Sequence, residues 1–149
     1  MPSRVSRMTS GGNSGLYQLV IRLEGGLIIK VGSRGTFAFP AGYYVYTGSA
    51  KRGLESRIAR HLRNKKRMRW HIDYLLQYAK VIGVRQFRGN MSECALSRSV
   101  ENLPNGRVVV RGFGSSDCAC SAHLFHFLRN PTDELGRVQK SRRLGSSAR

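Results

Sequence analysis

Between Tyr44 and His61 the apolar pattern changes from a strand period to a helix period within a few residues, and little else in the chain constrains it so tightly. Tyr44, Val45, Tyr46 and Thr47 are aromatic or β-branched and read as a strand. Gly48-Ser49-Ala50 follow without bulk and read as a tight turn that backbone or a ligand can approach closely. Beyond Lys51, the residues Leu54, Ile58 and Leu62 recur every four positions and predict the apolar stripe of a helix. Arg57 and His61 are also four apart and share a neighbouring face. A strand of tyrosines thus feeds a helix that carries a guanidinium and an imidazole one turn apart. That pairing suits a site that holds a phosphate and handles a proton.

The flanking segments predict an α+β fold. Gly15 to Leu23 alternates as a strand, Glu24-Gly25-Gly26 signals a turn, and Leu27 to Val31 is a second strand, so the two read as a hairpin. Gly32 to Gly35 turns again, Thr36 to Phe39 is a short strand stopped by Pro40, and Gly42 to Thr47 returns. Trp70 to Ala79 predicts a second helix with Ile72, Leu75, Leu76 and Ala79 on its apolar stripe. Val81 to Phe87 reads as a strand. Ser92 to Asn102 reads as a third helix, with Ser92 as N-cap and Glu93 in the first turn. Arg107 to Val110 and His123 to Phe127 supply two more strands. The sum is a central antiparallel or mixed sheet flanked by about three helices, in one domain over 14–129. Residues 1–13 and 130–149 are rich in Ser, Gly and Arg and lack an apolar period, which reads as a disordered basic arm and tail.

Charge decides the class of partner. The chain has 26 Lys and Arg against 8 Asp and Glu, a formal net charge of +18. Such an excess calls for a polyanion, and nucleic acid fits best. Nine of the cations fall between Lys51 and Arg69, with Glu55 the one acid among them. Besides Arg57, they are Lys51, Arg52, Arg60, Arg63, Lys65, Lys66, Arg67 and Arg69, the expected phosphate grip. No basic helix has the wide apolar face of a membrane-lying segment, and no apolar run reaches spanning length. The basic N-terminus is not followed by an apolar signal region, and the three cysteines are few and odd in number. Both point to a reducing cytoplasm. Self-repulsion favours a monomer.

Smaller clusters carry weaker signals. Cys118, Cys120 and His123 lie close together and read as a partial zinc site or as support for an active site. A structural zinc site takes four ligands, so Cys94 or His126 would have to join, and the reading goes against zinc. Asp117 is the one acid of the loop Gly112 to Asp117. His71 and Asp73 could orient a site or pair with neighbours to fix the fold, and their place at a helix start favours the latter.

Gly15-Leu16-Tyr17, Tyr46-Thr47-Gly48, Arg57 and His61 resemble the GIY-YIG nuclease signature. The closer resemblance is to the GIY-YIG-like domain of unknown function 123 family. It is carried by GYYVYTGSA, RHLR, WHIDYLL, a glutamate early in a later helix, and FGSSDCACSAHLF, and it runs over about Gly15 to Phe127. The hairpin and Thr36 to Phe39 separate the two tyrosine motifs more widely than in the broader superfamily.

The resemblance implies an endonuclease that hydrolyses phosphodiester bonds in DNA with one Mg²⁺ or Mn²⁺. It implies Tyr17 or Tyr46 for water activation, Tyr44 in support, Arg57 for the scissile phosphate, His61 for proton relay and Glu93 for the metal. Asn105 matches a family asparagine by count, and it also sits in a turn where asparagine is common. Two other classes stay open: a non-catalytic nucleic-acid-binding module that keeps the fold, and an RNA-associated factor using the same surface.

Overall fold

Strand β1 (Gly15–Leu23) is buried on both of its faces through its middle. Tyr17, Leu19, Ile21 and Leu23 point one way and Gln18 and Val20 the other, and all six are buried. A strand of that kind belongs inside a sheet covered on both sides. The computed structural model describes residues 15–64, 66–88, 91–115 and 120–136, and places β1 in that position. It pairs antiparallel with β4 (Gly42–Ala50), from Gly15 opposite Ala50 to Leu23 opposite Gly42. β5 (Lys80–Phe87) pairs on its other edge, with a bulge between Val20 and Ile21. β7 (Leu124–Phe127) and β6 (Arg107–Val108) complete a five-stranded sheet in the order β5-β1-β4-β7-β6. The fold is α+β.

One face of the sheet packs Tyr17, Leu19, Ile21, Leu23, Tyr44, Tyr46 and Leu124 against α1 (Leu54–Leu62), α2 (His71–Leu76) and a small ribbon of β2 (Leu27–Val31) and β3 (Gly35–Phe39). The other face packs Val20, Val45, Phe125 and Phe127 against Val100 of α3 (Glu93–Glu101), Leu103 and Leu135. Leu135 lies in a helical stretch at 132–136. Folded chain therefore continues past the expected boundary at 129. The basic arm, Lys65, Asp117, Cys118 and residues 137–149 lie outside the described residues. Among those described, no helix is long and apolar enough to cross a membrane.

Three local expectations change, each for a physical reason. β1 and β2 do not form a hairpin: both edges of β1 are taken by longer partners, and β2 pairs with β3 instead. Gly48-Ser49-Ala50 is not a turn but the last part of β4. The turn comes at residues 51–53, where Gly53 takes the left-handed conformation at φ 67°. On α1 the inward residues are Leu54, Ile58 and His61, and Leu62 is 52% exposed. Each four-residue step overshoots a full turn by about 40°. Leu62 is thus carried off the inward line and His61 returns to it.

The segment between α1 and α2 is anchored by one acid. Asp73 is fully buried and accepts from Arg60 Nη1 and Nη2 at 3.0 Å each, from the Arg69 N–H at 2.8 Å and from the Trp70 N–H at 2.9 Å. Burial pushes its carboxyl up, but the hydrogen bonds from Arg60, Trp70 and Arg69 outweigh burial and hold it below the ordinary value. A depressed folded pKa gives stability that is present above the unfolded value and lost as pH falls through the folded one. Asp73→Asn is expected to cost about 3 kcal/mol in urea unfolding at pH 7. The deficit against wild type should shrink below pH ~4, and a deficit independent of pH would count against the pairing.

Candidate active site

Tyr17 and His61 meet because a glycine stands between strand and helix. Tyr17 pairs across the sheet with Gly48, and a Cβ on Gly48 would lie 2.5 Å from Tyr17 Oη and 2.6 Å from Cζ. The bare backbone lets the phenol cross β4 and reach α1. Its Oη sits 2.7 Å from His61 Nε2, with both residues 2% exposed. Tyr46 packs edge-on against the same imidazole, with ring centroids 6.1 Å apart.

Burial sets the protonation of this group. It lowers the His61 pKa to about 4, Asp73 opposing and the charges of Lys66, Arg60 and Arg57 adding to the fall, so the imidazole is neutral at pH 7. It raises Tyr17, with the charge and hydrogen bond of Arg57 pulling the other way, and it raises Tyr46 as well. Both phenols are therefore neutral. Among the described residues, His61 Nδ1 is buried without a hydrogen-bond partner.

The strand end carries the remaining groups around to the other face of the sheet. Ser49 follows Gly48 and points opposite to it. Its Oγ donates to Glu93 Oε1 at 2.7 Å, and its carbonyl accepts from Arg57 Nη1 at 2.6 Å. His123, just before β7, brings Nδ1 to 2.9 Å from Glu93 Oε2. Burial pushes the Glu93 carboxyl up, yet hydrogen bonds from His123 and Ser49 and the charges of His123 and Arg57 bring it below the ordinary value. Glu93 is a carboxylate with its side chain 29% exposed. Its position follows from the cap: Ser92 Oγ accepts the Ala95 N–H at 3.0 Å and starts α3 there.

The basic segment divides in two. Arg60 is held by Asp73, and Lys66 Nζ donates to the carbonyls of Arg60 and His61 at 3.2 and 2.8 Å, closing the C-terminus of α1. Both of these cations are engaged within the fold. Lys51, Arg52, Arg63, Arg67 and Arg69 are exposed. The guanidiniums of Arg57, Arg60 and Arg69 gather over the Trp70 ring, 4.7, 4.5 and 5.0 Å from its centroid.

The structure thus brings together Tyr17, Tyr46, Arg57, His61 and Glu93. Tyr44 stands apart: its hydroxyl donates to the Pro40 carbonyl and its ring packs on Phe39 and His126. His71 Nδ1 accepts from the Gly114 N–H at 3.0 Å and ties α2 to the loop before β7. Asn105 is an exposed turn residue at φ 72°. Sequence reasoning missed Ser49 as a ligand of Glu93 and Trp70 as an arginine platform. A single tryptophan at the end of an arginine run was the available signal for the second. Among the described residues, the thiol that joins Cys120 and His123 is Cys94, and the ligand atoms of these three lie within 4.8 Å of one another.

His61 resonances are expected not to titrate between pH 5.5 and 8, and to do so near pH 4 in an NMR titration. Its lowered pKa means that stability is lost as pH falls from about 6.5 toward 4, because the unfolded chain binds the proton first. Gly48→Ala should displace the Tyr17 ring and cost about 1–3 kcal/mol. An unchanged melting temperature with an unchanged His61 spectrum would contradict the close approach.

Comparison with known proteins gives one match. The family model described as "Domain of unknown function DUF123" matches residues 16–144. No curated protein and no solved structure matches the chain. The family match spans most of the 149 residues, and the chain belongs to that family.

Proposed function

We propose that the protein is a divalent-metal-dependent endonuclease of GIY-YIG type that hydrolyses phosphodiester bonds in DNA, working as a cytoplasmic monomer. One observation carries this reading: a neutral Tyr17–His61 pair, the Arg57 guanidinium and an ionised Glu93 converge at one end of β1 and β4. A phosphodiester needs these parts: a proton acceptor, a cation for the phosphate and a carboxylate for a metal.

Glu93 fits one Mg²⁺ or Mn²⁺. It is ionised, partly exposed and offers hard oxygens, each with a lone pair beyond its present hydrogen bond. When bound there, the ion would neutralise charge on the phosphate and its leaving oxygen. Arg57 would hold the phosphate with its planar fork, oriented by the Ser49 carbonyl and by Trp70. Of the two tyrosines, Tyr17 is the one hydrogen-bonded to His61. A neutral phenol does not act as a standing base. It passes its proton to His61 Nε2 as it takes one from the attacking water. The anionic substrate offsets the burial that disfavours an imidazolium.

The exposed Lys51, Arg52, Arg67 and Arg69 extend the cationic surface from the strand end and from Trp70. Each neutralised by substitution should lower the salt slope of DNA binding by about one, uniformly across sequences. Lys66→Gln should act on stability instead.

The activity test uses labelled duplex, nicked, flapped and single-stranded DNA with Mg²⁺ or Mn²⁺, and measures binding in parallel at fixed salt. Tyr17→Phe, Arg57→Lys and Glu93→Gln are each expected to lose about 10²-fold or more in cutting, with binding kept in Glu93→Gln. Wild type that binds but never cuts would support the non-catalytic module, and preference for structured RNA would support an RNA-associated factor. Full cutting by Tyr17→Phe would remove the relay.

A further inference from the structure

α3 starts with Glu93 and Cys94, and both side chains lead to His123 by different routes. Glu93 takes the imidazole Nδ1. Cys94 joins Cys120 and His123 in a cluster whose ligand atoms lie within 4.8 Å of one another. We propose that Cys94, Cys120 and His123 bind a borderline-soft divalent ion, Zn²⁺ foremost, at a site separate from the oxygen site of Glu93.

Thiolate and imidazole donors select such an ion over Mg²⁺. Three protein ligands on one tetrahedral ion stand about 3.3–3.8 Å apart, so the observed spread closes with a small side-chain rotation. The scaffold is already fixed. Ser97 Oγ donates to the Ala122 carbonyl at 3.3 Å, and Ser121 Oγ donates to Glu101 Oε2 at 3.2 Å, so two contacts hold α3 against residues 120–123. Ser115 Oγ donates to the Cys120 carbonyl at 3.1 Å, and the His123 backbone is bonded on both sides, to Phe113 and Thr47. With Nδ1 turned to Glu93, ligation uses His123 Nε2. The carboxylate then orients the ring and raises its donor strength, as carboxylates do behind metal-bound histidines.

Among the described residues, no fourth protein ligand joins the three. Cys94 and Cys120 line a cleft of about 300 Å³ whose other walls are Ser97, Arg98, Glu101 and Ser121. Water or a small ligand entering that cleft would complete the shell.

Co²⁺ titration of the reduced full-length chain tests this without any activity measurement, so its outcome is independent of the nuclease reading. The expected result is a thiolate-to-cobalt charge-transfer band in the near ultraviolet that saturates at one equivalent and that Zn²⁺ removes. Cys94→Ser and Cys120→Ser should each weaken the band and the affinity by at least about 10-fold, and Glu93→Gln should weaken affinity by about 10-fold. Thermal melts of the metal-free variants establish that they fold. A reduced, folded wild type that shows no charge-transfer band overturns the site. A band that survives both serine variants overturns the assignment to these thiols.

Discussion

Tyr17 can touch His61 only across a residue with no side chain, and Gly48 is that residue. The β1–β4 register therefore does more than build the sheet. It puts a phenol opposite a gap and aims the phenol through the gap at a helix. It also sends Ser49, the next residue of the same strand, to the opposite face. A one-residue slip of β1 against β4 would turn Tyr17 toward the second core. The pairing extends over the full length of both strands, and Val20 and Val45 fill the second face, so that slip is strongly opposed.

Excess positive charge makes the few acids decisive. With a formal net charge of +18, cations at the site repel one another unless a carboxylate stands between them. Asp73 does this for Arg60 and for the backbone of Arg69 and Trp70. Trp70 does part of the same work without charge, since its ring face lies beside three guanidiniums. Arg57 and Arg69 are thereby both held against that ring, 4.7 and 5.0 Å from its centroid. A second negative group brought by a ligand would find them already gathered.

Much of this was legible in the sequence where pattern and chemistry coincide. The alternation of Gly15 to Leu23, the Ser92 cap and the position of Glu93 follow from local rules and stand as expected. What was not legible depends on choices between partners. The turn after β1 looked like a hairpin, but the pairing went to the longer strand. Gly48-Ser49-Ala50 looked like a turn, because small residues mark both a turn and a place where another ring must pass. The four-residue spacing of Leu54, Ile58 and Leu62 hid the inward position of His61, which the angular drift of a helix restores. Arg60 and Lys66 looked like exposed cations until Asp73 and the α1 carbonyls were found to hold them.

The neutral state of the Tyr17–His61 pair narrows the chemistry such a site can perform. A phenol raised above its ordinary pKa cannot wait as phenolate, and an imidazole lowered to about 4 cannot wait as imidazolium. Under the proposed chemistry, a phosphate at Arg57 would supply negative charge near His61 and a cation at Glu93 would supply positive charge near Tyr17; both would favour the same proton transfer, from phenol to imidazole. Water would then find a proton acceptor only when substrate and metal are both present. That coupling follows from burial, and it gives a physical reason for keeping a polar pair in a core where a phenylalanine and a leucine would pack more stably.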